Sequence, residues 1–254
     1  MNHNISTSIA VGALLVASTA FAQTKAPEPD YTLSYNVGAV TEYRYRGISQ
    51  SAKKPALQFG ADFAHKSGAY LGAWGSTITW IKDSGTGLKG PLEMDIYGGY
   101  KGAISDTLSF DVGGLQYWYV NNNLKNAGFS NANTFELYGA LTAGPATLKY
   151  SHSLTDLFGS VNSKGSGYLD ASATFDLGNG FSVVPHIGRQ VVKRAFAYTD
   201  YSVALNKDID GLVLSATLLG TNIKSKYGTA YTLPGSGSKD LAGTAVVLGI
   251  KKNF

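Results

Sequence analysis

Hydrophobic and polar positions alternate with a period of two along most of the chain, the spacing of a strand with one apolar face. In ALQFGADFAH, Leu57, Phe59, Ala61 and Phe63 share one face and Gln58, Gly60 and Asp62 the other. EMDIYGGYKG sets Met94, Ile96 and Tyr100 against Glu93, Asp95 and Lys101. TFELYGAL sets Phe135, Leu137 and Leu141 against Glu136 and Tyr138, and YLDASATF sets Leu169, Ala171, Ala173 and Phe175 against Asp170, Ser172 and Thr174. Twelve such segments are predicted, near 33–46, 56–65, 69–81, 92–101, 108–120, 134–142, 146–154, 167–176, 181–190, 198–206, 212–221 and 242–254. YLGAWGS in the third reads either way, and the Gly113–Gly114 pair in the fifth is the place for a bulge at which the face would switch.

The connections alternate in length. Those near 66–68, 143–145, 177–180 and 207–211 are tight and carry the turn chemistry of KSG, AGP, LGNG and KDIDG, with a slightly longer one near 102–107. The others, 47–55, 82–91, 121–133, 155–166 and 222–240, are longer and rich in Asn, Gly, Ser and Lys, with a shorter one near 191–197. Short turns at one end and long loops at the other mark an outer-membrane barrel. The expected fold is therefore all-β: a transmembrane, antiparallel, up-and-down β-barrel of twelve strands over residues 31–254, with short periplasmic turns and long extracellular loops. An even strand number puts both ends of the barrel on the short-turn side.

Composition agrees. Charged residues are only 15% of the chain against 44% hydrophobic, with 31 Gly and 16 Tyr, well below the roughly 25% charge of ordinary soluble domains. The formal charge is +4 and no run of basic residues stands out, so nucleic acid is not an expected partner. There is no Cys, which excludes disulfides and thiolate metal sites. At the N-terminus, the short apolar run IAVGALLVA is followed by STAFAQ, with Ala20 and Ala22 in an A-x-A pattern. This reads as a signal peptide over 1–22, cleaved after Ala22, then a short linker over 23–30. The run is too short to span a bilayer as a helix. The expected location is the cell outer membrane, with lipid and lipopolysaccharide as surroundings and the barrel-insertion machinery as an assembly partner.

In a barrel, the two faces acquire different solvents. VTEYRYRGISQS places Tyr43 and Tyr45 opposite Glu42, Arg44 and Arg46. Continuing the first strand to residue 46 puts both tyrosines toward lipid, in an aromatic girdle, and the charges toward the lumen. The pore-lining candidates are Glu42, Arg44, Asp62, Glu93, Asp95, Lys101, Glu136, Lys149, Asp170, His186 and Asp200, with Arg46 beside them. Acids exceed bases in this set. The 121–133 and 222–240 loops are candidates to constrict or plug the pore. The chain ends VVLGIKKNF, with Val246, Leu248, Ile250 and Phe254 on one face. Phe254 matches the aromatic terminal signal of outer-membrane barrels, while Lys252 departs from it.

VGAVTEYRYRGISQS, LEMDIYGGYKG and SVALNKDIDG resemble the TorF-family porins, small exported outer-membrane barrels, over essentially the whole exported chain. The resemblance implies outer-membrane location and pore formation, but no site residues. The function expected is passive diffusion of small polar solutes or ions. The alternatives are a non-conducting structural or adhesive barrel and a lipid-modifying barrel hydrolase.

Catalytic chemistry has little purchase. YSHSLTD holds His152 beside Ser151 and Ser153, but neighbours in a strand point to opposite faces. His65 abuts a turn. Asp208 and Asp210 are spaced like calcium-loop ligands without the rest of that loop, so KDIDG reads as a β-turn. No catalytic residue, metal or cofactor is expected.

Overall fold

The computed structural model describes residues 29–223 and 231–254. The predicted signal peptide, residues 23–28 of the linker and residues 224–230 of the 222–240 loop lie outside them.

The barrel wall consists of β1 (Tyr31–Val40), β4 (Ala56–His65), β5 (Ala69–Thr77), β6 (Leu92–Ser105), β7 (Leu108–Val120), β8 (Thr134–Ala143), β9 (Ala146–Ser153), β10 (Gly167–Ala173), β11 (Phe175–Gly178), β12 (Phe181–Val191), β13 (Ala197–Ile209), β14 (Leu212–Thr221) and β15 (Ala245–Asn253). Two short strands, β2 (Arg44–Tyr45) and β3 (Ile48–Ser49), pair only with each other. Segments β10 and β11 flank Thr174 and both pair with β12, so they are one strand broken by a single residue. The wall thus has twelve strands. Each pairs antiparallel with its sequence neighbours, and β1 pairs with β15 to close the ring. Closure leaves no strand edge unpaired, which is the condition for a sheet to sit in lipid. Among the described residues no helix is long and apolar enough to cross a membrane.

Alternation becomes orientation once the ring is closed. Leu33, Leu57, Leu71, Ile96, Val112, Leu137, Leu148, Leu169, Ile187, Val203, Leu218 and Leu248, one from each strand, all project outward and are exposed. Asp62, Asp95, Glu136, Lys149, Asp170 and Asp200 stand on the opposite faces of their strands. Trp74 decides the ambiguous third segment by pointing inward against Tyr43. The fifth segment keeps one face throughout: Gly113 and Gly114 pair in continuous register with Gly99 and Gly98. They are not a bulge. A Cβ on Gly113 would lie 2.6 Å from the Tyr138 hydroxyl, so the glycine makes room for an inward ring rather than a bend.

The five tight turns all lie at the end of the barrel that carries Tyr31 and Phe254. Asn179–Gly180 and Asp210–Gly211 both take paired positive φ, the signature of a type I′ hairpin turn. In the second, Asp208 Oδ1 accepts from the Gly211 amide at 2.8 Å. This is a turn, and no metal-ligating group of His, Cys, Asp or Glu occurs among the described residues. Outward Lys252 reaches the Asp210 carbonyl with its Nζ at 2.7 Å, at the rim, where its charge escapes the apolar belt.

A second expectation about the fold also fails. The first strand ends at Val40, not near residue 46. Thr41 still pairs with Leu248, through its amide at 2.9 Å and its hydroxyl at 3.0 Å. Beyond it the chain leaves the wall and turns into the lumen.

Candidate functional site

The inward-turned segment is residues 41–55. It is built on the hairpin β2–β3, whose two-residue loop is Arg46–Gly47, with φ of 47° and 79°. That is again a type I′ turn, but with arginine at a position that disfavours side chains. Strain of this kind persists where the surroundings over-determine it. Here Arg46 Nη2 and Nη1 donate to Glu136 Oε2 and Oε1 at 2.7 and 3.1 Å, and Nη1 also donates to Gln190 Oε1 at 2.6 Å. The guanidinium lies 4.2 Å from the centre of the Tyr168 ring and 4.8 Å from that of Tyr45. Glu136 is on β8, five strands from β1 in the ring of twelve. Gly47 seats against the wall beside Asp200, where a Cβ would come within 2.8 Å of Asp200 Cβ.

The rest of the segment meets the wall in turn. The Tyr43 hydroxyl donates to Glu93 Oε1 at 3.3 Å on β6. The Tyr45 and Tyr117 hydroxyls are 2.5 Å apart, and Tyr117 donates to Glu136 Oε2 at 3.3 Å. Arg44 Nε pairs with Glu42 Oε1 at 3.0 Å, and its Nη1 donates to the Gly243 carbonyl at 2.8 Å. Tyr43 is therefore 7% exposed and sits in a small core with Ile78, Ile81, Leu88, Tyr119 and Leu124 from the wall and outer loops.

This corrects the lipid-facing assignment of Tyr43 and Tyr45. Both lie inside the barrel. The alternation they show belongs to a hairpin in the lumen, not to the continuation of the first wall strand. The signal available was Arg46–Gly47, a glycine-containing turn dipeptide flanked by the short pairing segments Arg44–Tyr45 and Ile48–Ser49.

The segment divides the interior. On one side is a cavity of about 630 Å³, lined by Glu42, Arg44, Asp95, Lys149, Asp170, His186 and Asp200 among others. On the long-loop side is one of about 400 Å³, walled by Trp80, Tyr119, Phe129, Phe196, Tyr198 and Tyr231. Tyr45 and Arg46 line both. They are the partition. Among the described residues, Leu124 and Phe129 from 121–133, and Tyr231, Leu233 and Pro234 from 222–240, line the outer cavity, and Leu124 also packs in the core around Tyr43.

The remaining inward residues form local pairs on the wall. Tyr97 donates to Asp62 Oδ1 at 2.5 Å. Tyr70 donates to Asp111 Oδ1 at 2.5 Å and meets the Tyr138 hydroxyl. Lys149 Nζ lies 4.0 Å from the Tyr138 ring centre, and Lys101 Nζ 5.9 Å from that of Tyr70. His186 sits between two acids, with Nε2 2.6 Å from Asp170 and Nδ1 3.6 Å from Asp200. The Tyr168 hydroxyl donates to Asp200 at 3.1 Å. Glu93 Oε2 and Asp95 Oδ1 have no protein hydrogen-bond partner among the described residues. Tyr117, Tyr168, Gln190 and Asp111 were absent from the sequence-derived set. Nothing in alternation distinguishes an inward residue that touches the plug from one that faces water.

Elsewhere, His152 projects outward, with Nδ1 3.3 Å from the Tyr150 hydroxyl. The Ser153 hydroxyl donates to the Thr155 carbonyl at 2.9 Å. The YSHS sequence assembles no Ser–His pair. Phe254, exposed and outward, exchanges backbone hydrogen bonds with Tyr35 at 2.8 and 3.2 Å and completes the β1–β15 seam.

Solved structures of the same architecture exist. The KdgM porin superposes with a TM-score of 0.56 at 9% identity, covering 87% of this chain and 99% of that one. KdgM in complex with disordered oligogalacturonate gives 0.54 at 8%, covering 87% and 98%. The NanC porin gives 0.53 at 10%, covering 87% and 99%. At such identity the likeness is one of fold: a porin-like barrel. It agrees with the expected resemblance to porins at that level and does not extend to the TorF name. No curated protein matches the chain. Residues 24–254 match a family described as "Bacterial protein of unknown function (Gcw_chp)".

Proposed function

We propose, for a chain that belongs to the Gcw_chp family, that it is an outer-membrane channel for small polar solutes or ions, held closed at one level by its own residues 41–55. The observation that carries this reading is the pair of cavities that meet at Tyr45 and Arg46. A closed wall with an apolar exterior surrounds a polar, charged interior, and one hairpin separates the two halves of the path. The exterior belt supports insertion in a bilayer, and the predicted export signal supports the outer membrane of a bacterial cell. The barrel conducts rather than catalyses in this reading.

The solute class follows from the wall. Glu42, Asp62, Glu93, Asp95, Asp111, Glu136, Asp170 and Asp200 face inward against Arg44, Arg46, Lys101 and Lys149. Anions in a narrow low-dielectric pore require fixed cations along their path. An acidic oligosaccharide of the kind bound to KdgM therefore fits this lumen poorly. Cations and small neutral solutes fit it better.

The plug itself supports a second reading, a barrel that does not conduct and serves through its outer loops. Planar-bilayer recording of the refolded protein separates the two. Discrete conductance steps that grow when Arg46→Ala loosens the hairpin support the channel. Silence in both proteins, with the barrel verified as inserted, supports the second reading.

A further inference from the structure

A basic groove lies on the outside of the barrel, at the long-loop end. His152 on β9, Gly167 on β10 and Val191 on β12 are paired side by side. Just beyond this row, the 154–166 connection contributes Lys164, and the connection between β12 and β13 contributes Lys193 and Arg194. With His152 and Asp156 they line a groove of about 470 Å³. The side chains converge: a Cβ on Gly165 would lie 3.3 Å from Lys193 Nζ and 3.9 Å from His152 Cε1. Arg194 holds a φ of 61°, so the short connection turns sharply to bring both cations to the same side.

The charges in the groove are not balanced among themselves. Among the described residues, the ion pairs involve neither Lys164, Lys193 nor Arg194. The lining holds one acid, Asp156, so one carboxylate faces three cations. That carboxylate accepts from Ser130 Oγ at 2.6 Å and from the amides of Lys164 and Asn162 at 3.0 and 3.3 Å. The Ser130 hydroxyl, then these amides, hold its carboxyl below the usual range, so it stays ionised and orders the turn that presents Lys164. Directly beneath the groove Tyr150, Leu169, Ile187 and Val191 are all exposed on the outward wall, with exposed Arg189 paired beside Leu169 and donating to Thr199 Oγ1 at 3.2 Å.

Three cations above a wall that is apolar apart from Arg189 match an amphiphile with an anionic head and acyl chains. Charge-assisted hydrogen bonds to phosphate oxygens are strong and suit lysine and arginine together. We propose that this groove binds the phosphorylated headgroup of an outer-leaflet glycolipid of the lipid A type, with Lys164, Lys193 and Arg194 on phosphate and the acyl chains along Leu169 and Val191. The inference rests on the outer-membrane reading proposed above and on the orientation expected from the sequence, with the long loops outside.

The test uses the full barrel refolded in detergent, with EDTA present to remove bridging divalent cations. Binding of lipid A, dephosphorylated lipid A and inorganic phosphate is measured by native mass spectrometry and calorimetry. Wild type is compared with K164A/K193A/R194A, with the conservative K164R/K193R, and with K66A/K251A at the opposite end. Heat-modifiable migration confirms that each variant is a folded barrel. Lipid A affinity is expected to fall about tenfold or more in the triple alanine variant, and to persist in the conservative and opposite-end variants. Equal binding by wild type and the folded triple variant overturns the proposal. So does equal binding of the dephosphorylated lipid, or inorganic phosphate binding as tightly as lipid A. A barrel that shows no conductance leaves this result standing. A cysteine placed at Lys164 that is labelled only in permeabilised cells overturns the orientation beneath both readings.

Discussion

Arg46 and Glu136 meet across the barrel in a two-pronged pair, with Nη2 to Oε2 at 2.7 Å and Nη1 to Oε1 at 3.1 Å, both side chains nearly inaccessible to water. One is at the tip of a hairpin that has left the wall, and the other is on the wall opposite. Removing one partner of a buried pair leaves the other charge uncompensated, which costs about 3–5 kcal/mol. Glu136→Ala is therefore expected to destabilise the hairpin, and R46A/E136A to release it with less penalty. Single-channel conductance should rise in the double variant. Unchanged conductance would show that the pair does not hold the partition.

The orientation of the wall is tested by charge. Val203 projects outward at 48% exposure, while its neighbour Ser202 faces the interior. Val203→Arg should cost roughly 2–4 kcal/mol near the bilayer midplane, and Ser202→Arg much less. Denaturant titration in lipid vesicles reads the difference, and equal effects would reverse the assignment of faces. Leu137→Arg, also outward, should behave like Val203→Arg.

The β1–β15 seam ends with Phe254, whose amide and carbonyl are both bonded to Tyr35. Deleting Phe254 removes both bonds and the terminal aromatic ring. Barrel insertion is expected to slow, as followed by the appearance of the heat-resistant folded form. A deletion mutant that reaches wild-type outer-membrane levels under strong expression would count against the terminal signal.

Selectivity should follow the wall rather than the chain. The net charge of +4 is carried largely by connections, and their field is screened within about 8 Å at physiological salt. Weak cation preference or none is expected in a salt gradient. Asp170→Lys, beside His186 in the larger cavity, should shift the reversal potential toward anions. Strong anion selectivity of the wild type would reopen the acidic-oligosaccharide reading.

The long-loop end is expected to face outward from the cell. An epitope inserted in 121–133 should be labelled on intact cells. Labelling only after permeabilisation would turn the barrel over.

Much of this architecture is legible from alternation alone. Leu137 beside Glu136, or Leu169 beside Asp170, leaves a strand one acceptable register, because a slip of one residue sends the carboxylate to the apolar side. Repeated over twelve strands with turn dipeptides such as Asn179–Gly180 and Asp210–Gly211, that constraint implies the barrel, its strand number and which residues point inward. The tertiary structure decided what fills the inside. Tyr43, Tyr45 and Arg46 alternate as a wall strand would, since a hairpin in the lumen has the same period of two. Their place depends on partners far away in sequence: Glu93, Tyr117, Glu136 and Gln190. Local periodicity records which face a side chain prefers. It does not record the distance across a closed ring, and the partition at Tyr45 and Arg46 exists only because closure brings β8 and β12 within reach of a hairpin that leaves β1.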